Sequence, residues 1–565
     1  MDFGTQLYLP WRISHGAVLY RDVMYLTGGP LSQYFHALLF KVFGASLSVI
    51  IASNLSILAC VIAALFWRFQ ACADSFTAAM VSAGVLMVLA FNQYSNIANY
   101  NFVTPYCNEV WHGLALSILA VCILSRSAAG RNVRLNLAAG FIAGLVFLTK
   151  PEVFAALGLA FLARFIFIWR FERLAVAAKS ALLWLAPSLI APCAFLIYFK
   201  RFETWGAAAR SVANAWAPLL SSRVSRGPFY QWCLGLDAPL HHLWLMLVYT
   251  TGLAAVLAIF AFWFRKPCNT PVRRIVTVGL VGGLAALGSG FDWVDCGRVL
   301  PVLSLAVCVV GIWRGPAREN DMLPMLWSVF AFALLAKLGF YTRVWHYGFA
   351  LAMPALVAAI YFLLWSLPRL LENYGVRREP FRWAIGLLLL TAFLRLFVQS
   401  ELVYRNKTVQ IGSGADHFMA FDSKTNPAGP ALESALEWLQ NNTATNSTLA
   451  VLPEGVMLNY LSRRVNPARY LLWNPAELTV FGQAAMTADF ERARPDYVVL
   501  VHRDASEYGA KYFGQSEKFG LGLMRWIGQN YHAVWLVGSE PLKDSRFGIK
   551  ILQRNSEPAI ESPGA

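Results

Sequence analysis

The sequence predicts a polytopic α-helical membrane protein with a C-terminal α/β domain, on three observations. Of its 565 residues, 58% are hydrophobic and 14% charged, with a mean hydropathy of +0.51; soluble domains carry roughly 25% charge. Before about residue 400 the apolar residues gather in long runs, and beyond it the pattern becomes mixed and rich in turn residues. Charge divides at the same place, with 31 Lys/Arg and 14 Asp/Glu before residue 400 against 16 and 17 after it. The net charge of +16 therefore belongs to the membrane part. Its basic residues sit in short loops rather than on one soluble face, which argues against nucleic-acid binding.

Taken in order, apolar stretches of bilayer length or nearly so lie at about 46–67, 76–96, 108–125, 135–150, 152–169 and 181–199, then 242–264, 274–290, 299–313, 322–340, 347–366 and 383–399. About twelve membrane helices put both chain ends on one side. Alternate loops hold Arg68, then Arg126, Arg131 and Arg134, then Arg170, Arg173 and Lys179, then Arg265, Lys266, Arg273 and Arg274, then Arg314 and Arg318, then Arg369, Arg377, Arg378 and Arg382. These 17 basic residues mark their loops as cytoplasmic by the positive-inside rule. Both termini are then expected outside a cell (inner or plasma) membrane, with residues 1–45 as an outer loop, and a further helix upstream of Met1 is expected to carry that loop across.

The expected domains are thus the outer loop 1–45, a transmembrane part 46–399, a soluble outer-face α/β domain 400–555 and an unstructured end 556–565. In the third, 448–452 and 497–501 read as strands, while 432–439 and 456–461 show helical periodicity. The nine cysteines show no C-x-x-C spacing and read as small apolar residues. Cys107, Cys233 and Cys296 share the expected outer side, so one bridge among them stays open.

Eight of the fourteen acids before residue 400 fall on that side: Asp2, Asp22, Glu109, Glu152, Glu203, Asp237, Asp292 and Asp295. Acids at the ends of different helices can converge on one cavity and supply a general base, the plainer alternative being a solvated rim. Glu109 and His112 share a helix face, to position a base or bind an acceptor, or simply to suit a helix start. Asp292 and Asp295 form a weak candidate site for a divalent metal, with a solvated turn as the alternative; no other cofactor is indicated. Arg21 beside Asp22 reads more readily as a loop-shaping salt bridge than as a substrate ligand. The stretch 200–240 brings Trp205, Trp216, Phe229, Tyr230 and Trp232 together with Arg210, Arg223 and Arg226, the composition of an interfacial belt or lid.

The N-terminal residues carry the most specific signal. Asp2-Phe3-Gly4 is followed by Gly16-Ala17-Val18-Leu19-Tyr20-Arg21-Asp22, then by Gly28-Gly29-Pro30-Leu31 and an amphipathic segment at 34–43. Further on come Asn99-Tyr100-Asn101-Phe102, Pro105-Tyr106-Cys107-Asn108-Glu109 and Gly144-Leu145-Val146-Phe147-Leu148-Thr149-Lys150. The string resembles the first outer loop and following segments of glycosyltransferase family 39. That family includes the dolichyl-phosphate-mannose protein mannosyltransferases and is similar to the bacterial aminoarabinose lipid A transferases, all of GT-C architecture. The layout matches over roughly 1–400, the motifs over the first 150 residues, and the family's first membrane helix has no counterpart ahead of Asp2.

The resemblance implies Asp2 as the catalytic base, with Glu109 as a second candidate, and a polyprenyl-phosphate-linked sugar as donor. The sugar would pass with inversion to a hydroxyl of an unknown acceptor, whether lipid, glycan or protein, beside the lipid bilayer. Cations near the outer interface would steady the departing phosphate, and Lys150 and Arg343, then Arg298 and His346, are the candidates. The alternative is a transporter or flippase of a lipid-linked sugar, suggested by Arg164, Lys337 and Arg395 within apolar runs.

Overall fold

The computed structural model describes residues 3–94, 100–126, 132–266, 270–291, 293–314 and 322–556. The chain divides into two compact units, one of Met1–Ile50, Phe202–Tyr230 and Asn406–Ala565, the other of Ile51–Arg201 and Gln231–Arg405.

Every apolar stretch expected to cross the membrane coincides with a helix, but the helices are of two lengths. Among the described residues eight are long and apolar enough to cross: Leu47–Cys72, Pro151–Phe171, Leu174–Lys200, Pro228–Trp263, Pro271–Gly288, Trp293–Val310, Gly348–Glu372 and Arg378–Arg405. Four more, Ser75–Ala90, Asn108–Leu124, Val133–Phe147 and Met322–Leu335, are apolar but shorter. At 14 residues, Met322–Leu335 rises only about 21 Å against a hydrocarbon core of about 30 Å. Leu182, Leu240 and Leu287 are 66%, 81% and 77% exposed, a surface that fits hydrocarbon and not water. The chain is a multi-pass membrane protein.

Local chemistry sets the helix starts. Asp74 accepts from the Thr77 amide at 2.8 Å and Asn132 from that of Leu135 at 3.2 Å. Pro151, Pro239 and Pro271 occupy first turns, where a missing N–H costs nothing. Met322–Leu335 stops short of the expected 340, and beyond it Gly339 takes φ +54 where a Cβ would overlap the Leu234 carbonyl oxygen. Lys337 therefore lies in a turn beyond the helix, not within an apolar run.

Within the helical unit, Gly140 and Gly144 lie on the backbone of Trp184 and Ser188, so near that a Cβ on either would overlap a carbonyl. Arg164 is 2% exposed and donates to Asn136 Oδ1 at 3.1 Å and Ser180 Oγ at 2.9 Å. Ser180 in turn donates to Asn136 at 3.1 Å, which closes the triad across three helices. Arg382 likewise ties the Asp74 carboxylate to the Leu364 carbonyl.

The other unit opens with a helix that the sequence reading missed, Gly4–Ser14, and continues through Pro30–Phe43, which contains the expected amphipathic segment. Its C-terminal part holds a two-stranded sheet, β1 (Val409–Ile411) with β2 (Phe418–Ala420), and a four-stranded sheet. In the larger sheet β3 (Leu449–Leu452) pairs in parallel with β4 (Tyr497–Val501), as two strands expected from sequence. The strands β5 (Tyr531–Gly538) and β6 (Gly548–Arg554) were not expected, and antiparallel pairing gives the order β3-β4-β6-β5. Helix Ala428–Asn442 buries Leu432, Leu436 and Leu439 at helical spacing. No disulfide joins Cys107, Cys233 and Cys296, so the bridge left open among them is not formed.

Candidate functional site

In the first unit the G-x-x-L-Y-R-D string makes a tight, fully bonded turn. Gly16 takes φ +97, a conformation that side chains resist, and Tyr20 takes φ +69 although it has one. Three bonds hold Tyr20: its amide donates to Val23 O at 2.8 Å, its hydroxyl to Gly28 O at 2.8 Å, and its carbonyl accepts from Arg469 at 3.2 Å. Arg21 meets Asp22 through two bonds, Nε to Oδ1 at 2.8 Å and Nη2 to Oδ2 at 2.7 Å. Asp22 also accepts from the Val18 amide at 2.8 Å, and the Arg21 guanidinium lies 5.3 Å from the Phe202 ring. The guanidinium and the amide hold the Asp22 carboxyl below its usual range. Both side chains are thus spent on the turn. Asp2, the candidate base, lies outside the described residues.

In the helical unit several charged residues lie where helices begin. Asn54 donates to Val103 O and to Asn108 Oδ1, both at 3.0 Å, which sets the start of Asn108–Leu124. In that first turn Glu109 is fully buried and accepts from the Cys107 thiol at 2.8 Å; His112, 6% exposed, lies one turn on. Lys150 caps Pro151–Phe171 with its ammonium 5.9 Å from the Tyr106 ring. Tyr106 adjoins Tyr100 at 4.8 Å, and Tyr100 adjoins His346 at 5.4 Å.

His346 leads to Arg343, whose Nη2 donates to His346 Nδ1 at 3.1 Å. The fully buried Arg343 guanidinium stands 4.6 Å from the Trp232 ring and 4.4 Å from that of Tyr341, and donates to Tyr341 O at 3.2 Å. Two glycines make this possible. Gly297 lies against the Arg343 backbone, 2.9 Å from where its Cβ would be to Cα, and Gly348 against the Arg343 carbonyl. On the same Tyr341 ring lies Arg298, at 4.8 Å, with Nη1 donating to His242 Nδ1 at 3.1 Å. His242 stacks on Tyr341 at 4.7 Å and reaches Asp237 at 3.3 Å. Lys150, Arg343, His346 and Arg298 thus form one chain of cations and rings, with Glu109 and Glu152 beside it.

The same helical unit holds a cavity of about 710 Å³. Its walls are aliphatic and aromatic, among them Leu253, Leu284, Leu356 and Leu388, and they include Gly297 and Val344, sequence neighbours of Arg298 and Arg343. Asp295 sits in the turn Trp293–Val299, and its expected metal partner Asp292 lies outside the described residues. Among the described residues no three His, Cys, Asp or Glu side chains gather as a metal would need. The expected interfacial segment divides: Trp205 is 59% exposed, Phe229 packs on Tyr508 at 4.9 Å, and Trp232 serves Arg343. Sequence reasoning missed Tyr341 and His242. Tyr341 stands two residues from Arg343, a signal the sequence offered, whereas His242, on Pro239–Trp263, meets Arg298 only in the folded chain.

No protein-family profile matches the chain, and no curated protein matches it. Among solved structures it is similar to the oligosaccharyltransferase of Archaeoglobus fulgidus, with 15% identity and a TM-score of 0.46 over 88% of this chain and 65% of that one. The chain therefore spans a little less than two thirds of that protein's length. It is also similar to ArnT from Cupriavidus metallidurans, solved bound to undecaprenyl phosphate, with 13% identity and a TM-score of 0.39 over 98% of this chain and 93% of that one.

Proposed function

We propose that the protein is a membrane glycosyltransferase that moves a sugar from a polyprenyl-phosphate donor to an acceptor hydroxyl on the outer face, with inversion. One observation carries this reading: in the helical unit the buried Arg298 and Arg343 have their sequence neighbours Gly297 and Val344 in the wall of an apolar cavity of about 710 Å³, and Lys150 connects to them through the Tyr106 and Tyr100 rings and His346. Such a pairing suits an amphiphile whose anionic head meets cations while its hydrocarbon chain fills an apolar volume.

In the reaction the acceptor oxygen bonds to the anomeric carbon and its proton passes to a carboxylate. The bond from that carbon to the phosphate oxygen breaks, and the phosphate leaves with the electron pair. Asp2, in the loop whose motifs resemble the glycosyltransferases, is the proposed base, with Glu109 the second carboxylate. The growing phosphate charge is what the cations stabilise most, and that preference for the transition state is catalysis.

Two of the three residues behind the transporter reading have local settings that need no pathway. Arg164 bonds Asn136 and Ser180 between helices, and Lys337 lies beyond a helix end. The test is transfer of labelled sugar from a pool of polyprenyl-phosphate donors to membrane acceptors by the purified protein in vesicles. Labelled glycoside is the expected product. Counterflow of labelled lipid-linked sugar with no glycoside formed would replace this proposal with the transporter.

A further inference from the structure

We propose that the C-terminal domain is the positioning element of the catalytic loop, acting on that loop through Met457 and Arg469. This rests on the reading of residues 1–45 as the segment that carries the base. Besides Arg463, which donates to the Ala45 carbonyl at 3.1 Å, the domain touches the segment near its beginning and at the turn, and both of these are contacts of backbone as well as side chain.

The first contact is at its beginning. Gly4, two residues after Asp2, lies so near helix Met457–Ser462 that a Cβ there would stand 2.5 Å from the Met457 amide nitrogen and 2.8 Å from its Cα. Glycine alone permits that approach. Trp11 meets Tyr460 of that helix edge to face at 6.4 Å, and beyond the helix the Tyr8 hydroxyl accepts from the Asn466 amide at 2.8 Å.

The second contact is at the turn. Arg469 donates from Nη2 to the carbonyl of Tyr20, the residue held at φ +69, at 3.2 Å. The Met24 amide donates to Arg469 O at 2.8 Å, and Arg469 is itself fixed by its amide bonding Asp489 at 2.8 Å. An exposed arginine of the domain is thus spent on the one non-glycine residue of the turn whose backbone is strained. Residues 457–469 grip the segment on both sides of 12–19, the arrangement that a base requiring sub-ångström placement needs.

The experiment compares the full-length protein with Arg469→Ala, Arg469→Lys and Gly4→Ala, by amide hydrogen exchange and by sugar transfer from polyprenyl-phosphate donors extracted from native membranes. Arg469→Ala should speed exchange across 18–24 while β3 and β4 stay protected, and lower kcat by about tenfold or more with KM little changed, part of the 10²–10⁴ a placed base supplies. Arg469→Lys should recover part of both, and Gly4→Ala should lower kcat with folding retained. Unchanged exchange at 18–24, or faster exchange with undiminished kcat, would overturn the proposal. So would loss of protection in β3 and β4 together with the loop, since Arg469 would then serve the domain's own folding. Wild-type protein without transfer would instead refute the glycosyltransferase reading, and the exchange results would still decide whether Arg469 holds the loop.

Discussion

Glu477 is buried in the C-terminal domain with 4% of its surface exposed, and loss of solvation raises its pKa from 4.5 to about 8. Between those values the folded protein keeps a proton that the unfolded chain releases. Stability therefore falls as pH rises from 4.5 towards 8, by up to about 1.4 kcal/mol per pH unit, and levels off above that. Glu477→Gln should remove the slope, so melting measured at pH 5.5 and 7.5 would separate the two proteins. Equal melting temperatures for the wild type would sink the assignment. Asp2 is the second residue with a decisive substitution: Asp2→Asn should reduce kcat by about 10²–10⁴ at constant donor KM. A loss within about threefold would remove Asp2 as the base and turn attention to Glu109. The acids and cations of both units were legible as residues, because charge among apolar runs is conspicuous. Their partners were not. The pairing of Arg343 with His346 is short in sequence, as is that with Tyr341, but Trp232, whose ring also flanks the guanidinium, comes from a helix more than a hundred residues away.

At the scale of elements the membrane helices were legible because long apolar runs leave no other structure open. Missed elements share a cause, a weak local signal. Gly4–Ser14 mixes polar and apolar residues around Pro10, β1 and β2 have three residues each, and β5 is broken by an irregularity between Ala533 and Trp535. Helix contacts were legible only as the string Gly144 to Lys150, whose glycine proves to be where two helices meet at backbone distance. Gly144→Leu should therefore separate Val133–Phe147 from Leu174–Ser188, with a loss of about 1–3 kcal/mol or more seen as a lower melting temperature in detergent. Arg164→Met should behave differently. Removing the donor leaves Ser180 bonded to Asn136, so the cost should be about 1–2 kcal/mol, in the range of single interhelical bonds in membranes. Transfer per folded molecule should be unchanged, because Arg164 has no place in the proposed site. A specific loss of lipid-linked sugar movement with folding intact would instead revive Arg164 as a pathway residue.

The whole molecule raises the question of which way it lies in the bilayer. Its net charge of +16 comes from basic residues in alternate short loops, and moving these across the membrane against the positive-inside bias is what the insertion machinery resists. The C-terminal domain carries nearly balanced charge, so its side is set by the helices before it and not by its own composition. Two positions report the outcome: Tyr374, 71% exposed between Gly348–Glu372 and Arg378–Arg405, and Asn441, exposed at the end of Ala428–Asn442. In a background with Cys60 and Cys193 changed to Ala, Tyr374→Cys and Asn441→Cys should react oppositely with a membrane-impermeant maleimide added to intact cells. Asn441→Cys should label at once and Tyr374→Cys only after the membrane is opened. The reverse pattern would place the C-terminal domain in the cytoplasm, where the acceptor would have to be a cytoplasmic hydroxyl and the donor a lipid not yet flipped.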